Sequence, residues 1–461
     1  MSAVELSKAI SEREVSPVEV VDAVMERIRF CNPKINAVIT LLEEEARKEA
    51  KKAEREAKKG RRKPLLGVPV TIKDNIAVKG VKMTLGSKMY ENFVPDWDAI
   101  LVERLREAGA VIVGKTNLPE LGLVAITDNP LFGATKNPWD LTRTPGGSSG
   151  GAAAAVASGI CPVAIGNDGG GSIRIPSALC GVYGFKPSFG RVPSYRDLPI
   201  FLEMVSNGPI TRTVADAALV MDVIAGPDSR DRYSLPAVDF SYLDRLEEGV
   251  KGKRFAYSPN LGYATVDPEV EEITRKAAST FKKAGAKVKE VNVQIPNMEG
   301  DLVTLVVTEV VAAVGDKLEE WKKMAYPAYL DFLPLADMVS LKDYIKIRVK
   351  RDELWDEVRK IFEEYDFLLT PTTAVPAFKL EEGMGPSKIA GKDVSPIGWM
   401  PFTYPFNFTG QPAASVPCGF TKDGLPVGLQ IVGDRYDDLG VLQASRAFEK
   451  LRPWQDKKPP L

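Results

Sequence analysis

The 461-residue chain is 44% hydrophobic and 27% charged, a balance that supports a sizeable core and excludes disorder. Its 61 Lys and Arg nearly cancel its 62 Asp and Glu, so no net field draws it to nucleic acid or an anionic membrane, and a small or neutral partner is expected. It has no histidine, which excludes Ser-His-Asp and Cys-His catalysis and histidine-ligated zinc, and leaves a carboxylate, lysine, tyrosine or metal-bound water as general base.

The N-terminus carries no apolar core flanked by basic residues, and no stretch approaches ~18 uninterrupted apolar residues, so a cytoplasmic protein is expected. Ser16-Pro17-Val18-Glu19 reads as a capped helix start, with apolar Val20, Val21, Val24 and Ile28 following at helical spacing. A charged helix is expected over 42–59, with Glu43/Arg47, Glu44/Lys48 and Glu54/Lys58 four residues apart and Gly60 stopping it; this is a solvated face, not a binding tail. Next come a strand entering a loop at 67–76, a helix at 99–109 and a buried strand at 110–114. Further on lie a helix at 213–225, a strand at 253–257, helices over 268–284 and 302–362, a strand at 367–371 and a hairpin turning at Asp423-Gly424. Strands alternating with helices indicate an α/β fold, and the absence of an internal repeat or long linker favours one large domain. Cys31, Cys161, Cys180 and Cys418 lack metal-ligand spacing and are read as buried thiols.

Residues 109–116, GAVIVGKT, satisfy a phosphate-loop pattern letter for letter. That loop needs a strand before the first glycine and a helix after the threonine. Here a helix precedes, the match is itself a strand and Asn117-Leu118-Pro119 follows, so nucleotide binding is not expected.

GGSSGG at 146–151 and GNDGGGS at 166–172 would be flexible linkers by composition alone. Their flanks are apolar runs that must be buried, so both are constrained loops. The second runs from strand-like Val163-Ala164-Ile165 into a segment, Ile173 to Cys180, that can begin a helix. Backbone amides at such a turn converge beside Ser172, as an oxyanion hole requires. A serine there needs a base. Lys73 ends an otherwise apolar strand, where burial would disfavour its charge, yet an ordinary lysine at a strand end fits the same pattern.

GGSSGG, the Asp168-to-Pro176 stretch DGGGSIRIP and the segment VTIKDN around Lys73 together resemble the amidase signature family in order and spacing. The likeness continues through GKTNLPE (114–120), CGVYGFKPSFGRVP (180–193), LLTPTT (368–373) and GQPAASVPCGF (410–420). It implies a single amidase domain over 1–461: a central mixed β-sheet covered by helices on both faces, with a helical segment to about 60, a signature core over about 61–230 and the remainder completing sheet and pocket. It implies amide C–N hydrolysis with Ser172 as nucleophile, Ser148 as a bridging serine after a cis peptide bond, and Lys73 as base. The oxyanion hole falls on the amides of Gly169, Gly170, Gly171 and Ser172, and Ser149, Asp168 and Arg174 are expected to hold the loop. No metal or cofactor is implied; the partners are a small-molecule amide and water, with no nucleic acid or membrane. The oligomeric state stays open, a homodimer included.

The chain departs from family members that act as the glutamine-hydrolysing subunit of a tRNA-dependent amidotransferase. Those resemble T-D-T-G-G-S-I-R-Q-P where this chain has Gly169 and Ile175, and they need an acidic residue for the substrate ammonium at the position held here by Met400. An apolar wall around Trp399, Met400, Phe402 and Tyr404 would not pair an ammonium group, though these aromatics would equally suit core packing. The reading is therefore an amidase for neutral, apolar or aromatic amides, including aryl, cyclic or non-natural ones, with esterase or carbamate side activity. One alternative is the glutamine-hydrolysing subunit of the amidotransferase. The other is an amide-binding protein without catalysis, which requires loss of a triad member.

Overall fold

The computed structural model describes residues 1–196 and 200–461. Helix α1 (Ala3–Ser11) leads into α2 (Pro17–Ile35), which starts at Ser16 with the expected capping box. Strand β1 (Val38–Leu41) precedes α3 (Glu43–Lys58), which buries a stripe of Ala46, Ala50, Ala53 and Ala57 and leaves its charges outside. Two of the three anticipated pairs close on its surface, Glu43–Arg47 and Glu54–Lys58.

The alternation that follows comprises β2 (Pro69–Lys73), α4 (Ile100–Glu107), β3 (Val111–Thr116), α5 (Gly150–Ala157), β4 (Val163–Asp168), α6 (Arg174–Cys180), β5 (Tyr183–Lys186), β6 (Ser206–Thr211) and α7 (Val214–Ile224). After it come β7 (Arg254–Tyr257), α8 (Pro268–Ser279), β8 (Lys287–Glu290), α9 (Glu299–Val314), α10 (Leu318–Lys322), α11 (Pro327–Leu330), α12 (Pro334–Met338), α13 (Leu341–Glu364) and β9 (Phe367–Pro371). A small hairpin of β10 (Lys388–Ile389) and β11 (Lys392–Asp393), then α14 (Pro405–Phe408), β12 (Ala413–Phe420), β13 (Pro426–Gly433) and α15 (Asp438–Leu451), complete the described chain.

Eleven strands form one mixed sheet in the order β1-β3-β2-β4-β6-β5-β12-β13-β9-β7-β8. Pairs β2/β3, β2/β4, β7/β8 and β7/β9 are parallel and the rest antiparallel. Helices cover both faces, because side chains alternate across a strand. In β13, a Cβ on Gly428 would touch Ala178 of α6, whereas one on Gly433 would touch Val441 of α15 on the opposite side. The result is a single α/β domain with a large sheet between helices. Among the described residues no helix is long and apolar enough to cross a membrane.

Three sequence expectations are sharpened. GAVIVGKT lies along β3, which runs through Thr116 before a 3-10 turn at Glu120–Gly122, so no helix N-terminus receives a phosphate there. The helical stretch at 302–362 is broken into five helices: Gly315 adopts φ 57°, and Pro327 and Pro334 each open a new short helix because proline cannot continue a preceding one. Strand β6 was not anticipated. Its Gly208 and Pro209 suppress a strand reading, yet Pro209 sits opposite Ile165 in the interior of the sheet.

The first turn of α5 is fixed by close backbone approach. A Cβ on Gly151 would lie 2.4 Å from the Asn117 nitrogen and 2.7 Å from the Ala37 oxygen. Gly151→Ala should therefore destabilise the protein by about 1–3 kcal/mol through overpacking, read as a lower denaturant midpoint; an unchanged midpoint would show that this turn has room to yield.

Candidate active site

Strands β2 and β4 are parallel neighbours, with Ile72 opposite Ile165. Lys73, the last residue of β2, and Asn167 and Asp168, the last two of β4, therefore leave the sheet at the same carboxyl edge, where loops of an open α/β sheet converge. The 146–149 loop enters α5 beside them, and the Gly147–Ser148 peptide bond is cis.

Lys73 is completely buried. Its Nζ donates to Ser148 Oγ at 2.6 Å and to Asn167 Oδ1 at 2.7 Å. Burial pushes its pKa from 10.5 down to about 7, against the opposing pull of the Asp168 carboxylate. Two more lysines, Lys115 and Lys186, are equally buried. Lys115 donates to the Asp74 carbonyl at 3.2 Å and stands 3.6 Å from its carboxylate, and Lys186 donates to the Pro187 carbonyl at 3.0 Å. Among the described residues only Lys73 joins a buried amine, free of any carboxylate contact, to a serine hydroxyl.

Asp168 is diverted from Lys73 by Arg174. The Arg174 Nε and Nη2 reach its two carboxylate oxygens at 2.9 and 2.8 Å, both side chains being fully buried. Burial alone would raise the Asp168 pKa; the Arg174 charge and hydrogen bonds outweigh it and hold the carboxyl well below the usual range. The remaining Arg174 donors reach the Thr403 carbonyl, Gln430 Oε1 and Asn407 Oδ1. This pair ties the end of β4 to the C-terminal third of the chain.

The loop from Gly169 to Ser172 lies over this pair. The Gly171 N–H donates to Asp168 Oδ1 at 2.7 Å, whereas the N–H groups of Gly169, Gly170 and Ser172, read with it from the sequence as one donor set, meet no acceptor among the described residues. Gly171 serves as the bend, at φ 133° with Thr403 Oγ1 only 2.3 Å from where a Cβ would stand. Ser149 joins the two glycine loops, its N–H donating to the Ser172 carbonyl at 3.1 Å and its hydroxyl to the Asn167 carbonyl at 3.2 Å.

Ser172 opens on two spaces. One is a more polar chamber of about 480 Å³, its opening to solvent included, shared with Ser148, Asn167, Asn75, Gly169 and Phe201 and closed by Leu121, Ile200 and Val205. The other is a larger cavity of about 840 Å³, including its open mouth, walled by Leu302, Val303, Val306, Val307 and Val310 of α9, by Trp321, Tyr329, Phe332 and Leu333, and by Ile175, Phe201 and Met400. Its Trp321 Nε1 donates to Glu120 Oε1 and its Tyr329 hydroxyl to the Glu120 carbonyl, so these rings turn apolar surface inward. No ionisable carboxylate or cation lines this cavity among the described residues.

Met400 lines this cavity, while Trp399, Phe402 and Tyr404, read with it from the sequence as a pocket wall, are buried in the core. Trp399 packs edge-on against Phe378 and donates to the Met384 carbonyl; Phe402 is fully buried; the Tyr404 hydroxyl is satisfied by Asn297. Sequence reasoning missed Asn167, Phe201 and the α9 wall. A signal for the wall was present: EGDLVTLVVTEVVAAV carries apolar residues on more than one helical face, and a face not needed by the core calls for another cover.

A sequence model of the family described as Amidase matches residues 19–442. The chain is 40% identical over 464 residues to an acylamidase of Rhodococcus erythropolis, covering 100% of this chain and 97% of that one. It is 36% identical over 482 residues to a glutamyl-tRNA(Gln) amidotransferase subunit of Sulfurihydrogenibium sp. (strain YO3AOP1), covering 99% and 98%. A crystal structure of a bacterial aryl acylamidase of the amidase signature family superposes with a TM-score of 0.93 at 37% identity, over 98% of this chain and 96% of that one. The chain belongs to the amidase signature family, and is a hydrolase acting on amide C–N bonds.

Because Asp168 and Arg174 are buried together, removing one strands the other. Arg174→Met should lower the unfolding free energy by about 3–5 kcal/mol, measured by denaturant titration, whereas a near-neutral result would mean that Asn407 and the loop amides satisfy Asp168 unaided.

Proposed function

We propose that the protein is an amidase for neutral amides with an apolar or aromatic acyl group, acting through a Ser172 acyl-enzyme. The observation carrying this reading is the apolar cavity beside Ser172, whose polar ring atoms are already bonded to Glu120. An ammonium or carboxylate placed there would lose its hydration without a partner.

In the proposed cycle, neutral Lys73 takes the Ser148 hydroxyl proton as Ser148 takes that of Ser172, and the Ser172 oxygen attacks the amide carbonyl carbon. The resulting oxyanion is held by the amides of Gly169, Gly170 and Ser172, which have no other acceptor among the described residues. Collapse breaks the C–N bond, and the proton returns through Ser148 to the departing nitrogen. That return fixes the substrate's orientation: the nitrogen must lie on the Ser148 side, in the polar chamber, so the acyl group occupies the apolar cavity. Water entering the chamber then attacks the acyl-enzyme with the same relay removing its proton. Esters and carbamates present the same carbonyl geometry, so side activity on both is part of the proposal.

The 36% identity to an amidotransferase subunit favours a second reading, glutamine hydrolysis, but Met400 supplies no carboxylate for an α-ammonium group. The assay that separates them uses the purified chain alone against an aryl anilide, a fatty primary amide and glutamine. Anilide or fatty-amide cleavage that drops by about 10⁴-fold in Ser172→Ala is the expected outcome; turnover of glutamine alone would overturn the substrate assignment.

The pH dependence follows from Lys73. Its lowered pKa leaves it neutral above about 7 and charged below, so kcat/KM should rise through an acid limb centred near that value and then level off. A limb near the ordinary lysine value would show that Lys73 remains an ammonium ion at neutral pH and is not the base.

A further inference from the structure

Lys73 Nζ has two side-chain partners, Ser148 Oγ and Asn167 Oδ1, and only the first has a place in the relay. The second controls how the amine can be used. A neutral primary amine has two N–H bonds and one lone pair, and it accepts the Ser148 proton only when the lone pair faces Ser148 Oγ. Some other acceptor must draw the N–H bonds away. Asn167 Oδ1, at 2.7 Å, takes one. Its being an amide and not a carboxylate matters equally, because a negative charge at that distance would hold Lys73 as an ammonium ion.

We propose that Asn167 is a positioning residue that orients the Lys73 amine toward Ser148 while leaving it uncharged, and that its amide nitrogen faces the departing amine. The second half rests on the polar chamber. Asn167 lines it together with Ser148, Gly169 and Ser172, and with Oδ1 engaged by Lys73 the Nδ2 group has no acceptor among the described residues.

Among the described residues, the charged groups on the adjoining strands and on α5 are as follows. Asp168, next along β4, is held by Arg174 of α6. On β3, Lys115 is bonded to Asp74, and α5, GGAAAAVA, has no ionisable side chain. Asn167 is thus the neighbour through which the charge state of Lys73 can be changed without dismantling the Asp168–Arg174 pair.

This inference rests on Lys73 as the base, and its test is built to fail separately. The profile of kcat/KM against pH is measured on whichever amide the wild-type enzyme cleaves best, for Asn167→Asp, Asn167→Ala and Asn167→Ser, with thermal melting as a check on folding. Asn167→Asp should move the acid limb to higher pH by about 1–3 units. Asn167→Ala should lower kcat roughly 10²-fold with KM little changed, and Asn167→Ser, which restores an acceptor oxygen, should recover part of that loss. Carbon NMR titration of Lys73 Cε in the Asn167→Asp protein reads the same upward shift with no need for activity. Folded variants with an unmoved limb, an unmoved Cε titration and wild-type kcat would overturn the role of Asn167. Retained activity in Lys73→Ala would instead overturn the base assignment beneath it.

Discussion

A lysine held without a counter-ion is the constraint that the rest of the site answers to. Lys73 ends a strand whose other residues are all buried, and among the described residues its amine meets only a hydroxyl and an amide oxygen. Dehydration brings its pKa to about 7 from 10.5, and at about 1.36 kcal/mol per unit this is on the order of 5 kcal/mol. The sign follows from linkage. Between those two values the unfolded chain binds a proton that the folded chain does not, so this lysine's burden on folding is full below about pH 7, eases as pH rises and vanishes above 10.5. The rest of the sheet must absorb that cost. The Asp168 carboxylate, whose charge favours protonated Lys73, would undo the arrangement if free, and Arg174 prevents it.

Arg174 also links chemistry to recognition. Its donors run from Asp168 at the end of β4 to Thr403, Asn407 and Gln430, while Thr403 Oγ1 donates to the Gly170 carbonyl at 2.7 Å. The glycine loop is therefore clamped from both sides by residues more than two hundred positions away. Such preorganisation is what free backbone donors require if they are to meet an oxyanion without first rearranging.

Much of this was legible in the sequence because short-range signals wrote it: the capping box at Ser16, the charged helix ended by Gly60, the Asp423-Gly424 turn, and two glycine-serine loops flanked by apolar runs. The absence of histidine narrowed the base to a few residue types. Choosing Lys73 over Lys115 and Lys186 was beyond composition, since all three end or lie within buried strands; it rested on the family resemblance of VTIKDN, and the tertiary neighbours set the three apart. Trp399, Phe402 and Tyr404 illustrate the opposite difficulty. An aromatic cluster looks the same in a string of letters whether its faces meet a substrate or Phe378. Asn167 was in plain view inside GNDGGGS, but its partner lies 94 positions away, and no local rule connects them.

Glu120 shows how the molecule divides its labour. This buried carboxylate accepts from Ser87 Oγ, Trp321 Nε1 and the Tyr326 N–H, so one side chain from the core suspends the segment that roofs the apolar cavity. The atoms proposed to carry bond breaking all come from residues 73–172, whereas about half of the residues lining the apolar cavity come from 302–333. A wall built from a segment separate from the residues of the proposed relay can be recut in size and shape while those residues keep their register. If the acyl group lies in this cavity as proposed, sequence drift between α9 and α12 reshapes much of its wall, with Glu120 as a contact that drift must spare.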